Sequence, residues 1–292
     1  MLSWRLLGIN FCIQPSFWLM NALWACLLFG PASGRRDTDI RTTLKLLISF
    51  DSEIWLFILI WVLCTLVSVM VHELGHVITG RIFGQPGNIT VTGLGGQAVG
   101  EYGALRAWQR ILVIAAGPGA GFAFVALIVA FDPHYWNGII IWLDWPQWLK
   151  LNLFWIDHID PLLRMGASPT YDLVLQLLFF INLFVNIMNL LPIIPMDGGM
   201  IFKEFCVLIS PKGGLKFAFI WSFVLALGVT VYMLLAVLKE YGYVPPTTPV
   251  YYPFQFPIIS LLVFGMMALQ SWRAYQQIAA MERHELFSQR DE

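Results

Sequence analysis

The chain has 292 residues, of which 58% are hydrophobic and 12% are charged, and its formal net charge is −1. Soluble domains contain about 25% charged residues, so this composition excludes a surface made mainly for contact with water. The small net charge gives no reason to expect a nucleic-acid partner. The four cysteines are scattered and lack the spacing of a zinc or disulfide framework, so we interpret them as small buried hydrophobic residues.

Six apolar segments are candidates for membrane-spanning helices, which need about 20 residues to cross a bilayer. They cover residues 16–29, 54–83, 111–131, 173–194, 215–238 and 256–272. The predicted fold class is an α-helical multi-pass membrane protein with a small β-hairpin or sheet at the membrane surface. We expect residues 1–292 to form a single membrane-embedded domain, with a core at 5–210, two further helices at 215–272 and a polar tail at 273–292.

The second span ends in the sequence VMVHELGHVITG, residues 69–80. His72 and His76 are four residues apart, so on a helix their imidazoles leave from one face and can bind one zinc ion. Glu73 lies beside His72, where it can accept a proton from the water that attacks a peptide carbonyl and pass it to the leaving amine. A chance match is the alternative, but two histidines and a glutamate are costly to bury in an apolar helix without a function.

Residues 88–99 alternate between β-branched and small side chains, which predicts a short β-hairpin near the membrane surface. Gly95 and Gly96 mark either a sheet edge that accepts a substrate strand or simply a tight turn. A further strand is expected at residues 6–13.

Two later segments predict local structure but do not indicate a specific chemistry. Residues 115–122, AAGPGAGF, are rich in small side chains, which predicts close helix packing beside the site. The tryptophan-rich residues 132–169 favour an interfacial or partly re-entrant segment. On the expected topology His134 and His158 in this segment face the opposite side of the membrane, which excludes them as ligands.

Three asparagines, Asn182, Asn186 and Asn189, lie on one face of the fourth span because they are separated by four and three residues. Amides in hydrocarbon need partners, so these side chains are candidates to hold a substrate backbone or an oxyanion. Hydrogen bonding between helices is an equally good interpretation for Asn182 and Asn186. Asn189 is the strongest functional candidate because it is nearest to Asp197.

Asp197 lies in NLLPIIPMDGGMIF, residues 189–202, where two prolines and two glycines interrupt the helix. We expect the fourth span to run opposite to the second and to return Asp197 to the same membrane side as His76, as the third zinc ligand. The alternative is that Asp197 only caps a helix that begins near Met200.

These motifs together resemble the site-2 protease family of intramembrane zinc proteases. The resemblance rests on residues 9–19 (INFCIQPSFWL), 72–76 (HELGH), 94–96 (LGG), 115–121 (AAGPGAG) and 189–199 (NLLPIIPMDGG), in the family's order. It implies one zinc ion per chain, held by His72, His76 and Asp197, with Glu73 as the base. It also implies that the chain, embedded in a lipid bilayer, cleaves the transmembrane segment of a membrane-protein substrate, often releasing a regulator.

We expect the chain to lie in a bacterial cytoplasmic membrane, with the active site nearer the cytosolic side. At two positions the sequence departs from the family's pattern. The family commonly has asparagine at the position of Gly121 and leucine at the position of Met196. We find no segment long enough for the PDZ or CBS domains of many relatives.

Two other functions remain alternatives. A membrane zinc protease of the prenyl-protein type would take a glutamate as its third ligand. Glu204 is the candidate for that role, although it lacks a suitable apolar helical setting. A transporter or an inactive membrane chaperone is the alternative outside enzymes, since transporters also place charges at broken helices. The intact His-Glu-His set favours an enzyme.

Overall fold

The structure is a computed structural model that describes residues 1–32, 48, 52–93, 95–100, 102–132, 169–245 and 257–288. The expectations for most of the tryptophan-rich segment, with His134 and His158, lie outside the described residues. So does Leu94 of the hairpin.

Seven α-helices and four strands are present among the described residues. The helices are α1 (Pro15–Ala32), α2 (Ser52–Ile82), α3 (Ala107–Phe131), α4 (Pro169–Asn189), α5 (Asp197–Ile209), α6 (Gly214–Glu240) and α7 (Pro257–Ser288). The strands are β1 (Leu2–Leu6), β2 (Ile9–Ile13), β3 (Gly87–Thr92) and β4 (Gly95–Gly100), and a single turn of 3-10 helix covers Tyr102–Ala104.

The four strands form one sheet in the order β1-β2-β3-β4. The outer pairs are antiparallel, whereas β2 and β3 run parallel, because α1 and α2 lie between them in the chain. Alternate residues of the central strands are buried, as the period of a strand requires. These residues pack with apolar side chains of α1 and α2 into one core: Ile9, Phe11, Ile13, Ile89 and Val91.

The predicted hairpin is present as β3 and β4, and Gly95, the first residue of β4, has a φ of 128°, a conformation that favours glycine. The strand predicted at residues 6–13 is wrong in its bounds. The chain turns at Leu7 and Gly8, so this region contributes the end of β1 and all of β2. The small positive-φ turn interrupts what reads in the sequence as one apolar run.

Three of the described helices are long and apolar enough to cross a membrane, over Ile54–Ile82, Ala107–Phe131 and Gly214–Lys239. The apolar part of α4, Leu173–Asn189, is shorter. A mostly helical membrane protein with a small sheet is therefore confirmed, but six transmembrane helices are not. The predicted polar tail is largely helical, since α7 continues to Ser288.

The expectation that the second and fourth spans run in opposite directions is wrong. Ser68 of α2 pairs with Asn182 of α4, and His72, one turn later, pairs with Asn186. Because both residue numbers rise together, α2 and α4 run parallel along these contacts. Two parallel helices bring their carboxyl ends to the same side. The prediction from the sequence needed this result, although it gave the two helices opposite directions.

The chain divides into two compact units. The first contains the sheet, α1 to α3 and α4 as far as Ile187. The second begins at Met188 and contains the end of α4 and helices α5 to α7. Within the second unit α6 packs along α7, and α5 packs against α6. The expectation of a single domain stays a prediction.

Candidate metal centre

His72 and His76 lie one turn apart on α2, on the face that is turned into the protein. His72 is only 6% exposed and His76 only 8%. The Nε2 atoms of the two rings are 3.1 Å apart, and the rings meet edge to face. The predicted pair is thus formed, with one nitrogen of each ring directed at the same point.

The second ring nitrogen of His76 determines which tautomer this residue adopts. His76 Nδ1 lies 2.8 Å from the backbone carbonyl oxygen of Val113 on α3. A carbonyl oxygen can only accept, so Nδ1 must carry the proton and donate it. In the neutral imidazole Nε2 is then an acceptor.

The tautomer of His72 is determined by a side chain, that of Asn186. His72 Nδ1 lies 2.8 Å from Oδ1 of Asn186, while Nδ2 of Asn186 donates to the backbone carbonyl of Asn182. That second bond fixes which end of the amide faces the histidine. The amide oxygen accepts from Nδ1, and Nε2 of His72 is an acceptor too.

When both rings are neutral, two acceptor nitrogens therefore face each other at 3.1 Å inside the protein. Two lone pairs at this distance repel unless a cation lies between them, and neutral imidazole nitrogens are good ligands for zinc. A metal-ligating histidine also ordinarily donates its other N–H to a carbonyl or carboxylate, as both do here. The residues present fit a bound metal ion.

Glu73 is buried with the histidines, at 5% exposure. Strand β4 passes directly over its carboxyl group at Gly96. A Cβ atom added to Gly96 would lie 2.7 Å from Cδ of Glu73, which is closer than real Cβ contacts. The glycine therefore lets the strand approach the carboxylate, and sheet and helix together confine it.

The small residues of α3 play the packing role predicted for them. A Cβ atom at Gly117 would overlap the ring of His76, and one at Gly121 would overlap the amide of Asn186. Gly75 lets α2 approach α3 closely, since a Cβ atom there would lie 2.9 Å from Cβ of Ala120.

Asn182 makes the interhelical hydrogen bond that was one of its two interpretations. Its Nδ2 donates to Ser68 Oγ on α2 at 2.8 Å, and Ser68 in turn donates to the carbonyl of Cys64. Ser68 was not singled out in the sequence, since a serine in an apolar helix carries no signal of its own. This bond joins α2 to α4 one turn before His72 and Asn186.

Asp197, in the second unit, is the first residue of α5, so the helix begins three residues earlier than expected. Met196 occupies the N-cap position, and no side chain caps the helix there. The alternative that Asp197 is merely an N-cap is therefore wrong. A Cβ atom at Gly198 would lie 2.7 Å from the Leu191 carbonyl oxygen, which explains why the turn needs glycine.

The segment before Asp197 is held by a serine pair that the sequence analysis missed. The backbone N–H of Ile194 donates to Oγ of Ser222 on α6 at 2.8 Å, and Ser222 bonds Ser271 on α7 at the same distance. Both serines are buried. This bond fixes Ile194, and the ring of Pro195 restricts the backbone that follows, so few positions are available to Asp197.

Among the described residues, His72, His76 and Asp197 form the group that could hold a metal ion. Glu204, the rival third ligand, is not in it. The reason given against Glu204 was nevertheless wrong, because this residue is buried within α5. Its carboxylate lies 3.6 Å from Nζ of Lys203.

Comparisons with known proteins bear on this arrangement. Residues 158–237, which include Asn189 and Asp197, match the model of Peptidase family M50. No curated protein matches the chain. Among solved structures, the chain is similar to a site-2 protease from Methanocaldococcus jannaschii, at 17% identity, with a TM-score of 0.50 and 94% of each chain covered.

The resemblance to the site-2 protease family is confirmed. At this identity the structural likeness shows a shared site-2 protease fold. The matched family suggests an intramembrane metalloprotease, and the apolar helices agree with an integral membrane protein.

Proposed function

We propose that the chain is a zinc-dependent intramembrane endopeptidase that hydrolyses peptide bonds in or near transmembrane segments, as in regulated intramembrane proteolysis. One observation carries the proposal. In the neutral rings the two Nε2 atoms of His72 and His76 are both acceptors, and they lie 3.1 Å apart in a buried site. Placing two imidazole lone pairs together in apolar surroundings is costly unless they share a cation.

Zinc is the metal that this donor set favours. Two neutral imidazoles and one carboxylate are a common ligand set of catalytic zinc, with a further position left for water or substrate. We assign the ligands as His72, His76 and Asp197. A zinc ion bound there would supply Lewis-acid chemistry, polarising the scissile carbonyl and making water more acidic.

Glu73 is the proposed general base. It follows His72 on α2 and is buried, so it can act on a water molecule held at the ligand cluster. It would take a proton from the attacking water and later deliver that proton to the leaving amine. Contact with Gly96 confines its carboxyl group, so fewer side-chain conformations of Glu73 compete with the one that reacts.

The substrate would bind as an extended strand beside β4. This strand forms one edge of the described sheet, and its Gly96 lies against Glu73. An edge strand offers backbone donors and acceptors to a peptide. A substrate helix must unwind to use them, because its own carbonyls are already hydrogen-bonded. Gly95 and Asn189 complete the proposed substrate contacts, with Asn189 also a candidate oxyanion donor.

The test uses the purified full chain in detergent and in lipid vesicles, with a membrane-protein reporter that contains one transmembrane segment. We expect one zinc ion per chain and cleavage of the reporter. Glu73→Gln should retain the zinc and lose cleavage by about 10²–10⁴-fold, the usual contribution of a general base. Full cleavage by pure Glu73→Gln protein would rule out this base.

Two variants separate the rival third ligands. Asp197→Ala should lose zinc, and Glu204→Gln should keep both zinc and cleavage. The opposite pattern would favour the prenyl-protein type of enzyme. A chain that binds no zinc yet moves a solute across vesicles would be a transporter and would contradict the whole proposal.

A further inference from the structure

We propose that Asn186 is a positioning residue that holds His72 in the tautomer required of a zinc ligand, and that it occupies room left for it by Gly121. The inference rests on the proposed function, since the tautomer of His72 matters only where this ring binds a metal. It assigns Asn186 a role different from the substrate contact expected from the sequence.

The hydrogen bonds of Asn186 use both ends of its amide. Oδ1 accepts from Nδ1 of His72 at 2.8 Å, and Nδ2 donates to the carbonyl of Asn182 on its own helix. The residue is only 1% exposed. An amide that is buried and engaged at both ends cannot reach a substrate, but it can define the direction of the imidazole that it contacts.

The two histidines differ in how this direction is set. The acceptor for His76 is the backbone carbonyl of Val113, which remains whatever side chain stands there. The acceptor for His72 is a side chain on another helix. Without it, either ring nitrogen of His72 can carry the proton, and a ring protonated at Nε2 has no lone pair for the metal. Loss of such an outer contact lowers metal affinity by about 10–100-fold.

Gly121 explains why the amide fits. A Cβ atom built on Gly121 would lie 2.5 Å from Oδ1 of Asn186, and nearer still to its Nδ2 and Cγ. An asparagine at position 121 would therefore direct its own amide into the volume that Asn186 fills. Positions 121 and 186 compete for one site, and the site has room for one amide group.

The experiment measures zinc affinity on purified full-length protein, by competition with a chromophoric chelator, together with thermal unfolding of each variant without metal. Asn186→Ala should bind zinc about 10–100-fold more weakly than the unchanged chain. Asn182→Ala is the matched control, because it removes a buried amide one turn away that bonds Ser68 and not a histidine. It should unfold at lower temperature while keeping the zinc affinity of the unchanged chain.

The swapped variant, Gly121→Asn with Asn186→Ala, tests whether the amide acts from this one place. Zinc affinity should recover at least tenfold over Asn186→Ala, and the visible spectrum of the cobalt-loaded protein should return to that of the unchanged chain. A swapped variant that folds but binds zinc no better than Asn186→Ala would overturn the shared position.

The remaining outcomes are also decisive. If Asn186→Ala binds zinc as tightly as the unchanged chain, the positioning role is wrong and the proposed function stands. If Asn182→Ala weakens zinc to the same extent, the effect reflects helix packing and the inference fails. If the unchanged chain binds no zinc at all, it is the proposed function that fails.

Discussion

Each histidine of α2 reaches its chemical state through a contact made by its Nδ1 atom. For His76 the partner is the carbonyl of Val113, and for His72 it is the amide oxygen of Asn186. These contacts leave both Nε2 atoms as acceptors at one point. The capacity to hold a metal therefore belongs to α2, α3 and α4 together, and not to the HELGH sequence alone.

Gly96→Ala tests the contact between β4 and Glu73. The new methyl group would meet the Glu73 carboxyl group and push either the strand or the side chain aside. A displacement of about 1 Å at a reacting group can cost about a hundredfold in rate. We expect peptide cleavage to fall by about that factor while zinc content is unchanged, as measured with the reporter and by metal analysis.

Gly103→Ala provides the control for this change. It lies shortly after β4, and an added Cβ atom there meets nothing within 4 Å. This variant should cleave the reporter at the rate of the unchanged chain. Equal rates for Gly96→Ala and Gly103→Ala would show that the approach of β4 to Glu73 does not matter for activity.

At the scale of residues, the sequence predicts well which side chains belong to the candidate site. It predicts poorly which atoms those side chains contact. The histidine pair is readable because its spacing matches one helical turn in an apolar setting. The partner of His72 is not readable, since Asn186 is 114 residues away and the sense of α4 was inferred wrongly. A backbone acceptor such as the carbonyl of Val113 leaves no trace in residue type.

Helix α4 carries a line of amides that matches a line of polar groups on α2. Ser68 pairs with Asn182, and His72 pairs with Asn186 one turn further on. In apolar surroundings a hydrogen bond between helices adds to the packing that holds them together. The pair at Ser68 and Asn182 therefore contributes to the stability of the helix pair and contacts no proposed ligand.

Ser222→Ala tests the anchor of the segment before Asp197. It would leave the backbone N–H of Ile194 without the acceptor that the serine supplies, and would remove the bond to Ser271. A buried polar group without a partner costs about 1–3 kcal/mol. We expect the free energy of unfolding to fall by about that amount, measured by denaturant titration in mild detergent.

Thr230→Val, on the same helix, is the comparison. Its hydroxyl donates only to the carbonyl of Ala226 one turn earlier, so removing it breaks no link between segments. This change should cost less than Ser222→Ala. If the two variants are equally stable, the serine pair is not a significant anchor.

Elements with a strong local pattern were predicted well, and boundaries set by tertiary contacts were not. The alternation at residues 88–99 marks β3 and β4, but β1 is exposed along its length and so lacks a pattern that separates it from β2. Helix α4 ends at Asn189, before the segment with Pro192, because proline cannot continue its hydrogen bonds. The apolar run itself continues and hides this end.

At the scale of the whole molecule, the proposed zinc ion would link metal binding to the stability of the folded chain. A ligand that binds only the folded state stabilises it by about 2.7 kcal/mol at 100 times its dissociation constant. Removal of zinc with a chelator should therefore lower the unfolding temperature of the full chain, and added zinc should restore it. His76→Ala should show no such zinc-dependent shift.

Thermal unfolding in detergent, with and without chelator, gives the measurement. An unchanged midpoint in the natural chain would argue that no metal contributes to its stability. A shift that persists in His76→Ala would place the responsible ion elsewhere in the molecule.

The membrane character and the site-2 protease fold follow from composition and motif order, because both are properties of the chain as a whole. The number of spans does not follow in the same way. Apolar length alone treats α2 and α4 alike, yet the apolar part of α4 is short and its polar face is committed to α2. A segment can be apolar on average and still be built around a line of buried amides.

Helix α7 does not end with its apolar part. Trp272 stacks on Tyr275 and contacts Phe223 of α6. Almost three turns later Glu282 pairs with Lys216 near the start of α6, so α7 is still supported there. At 1.5 Å per residue, the stretch from Glu282 to Ser288 extends about 9 Å further. The polar part of α7 is thus braced along α6 for most of its length, and a charge-reversing change at Lys216 or Glu282 would loosen this brace without touching the apolar contacts.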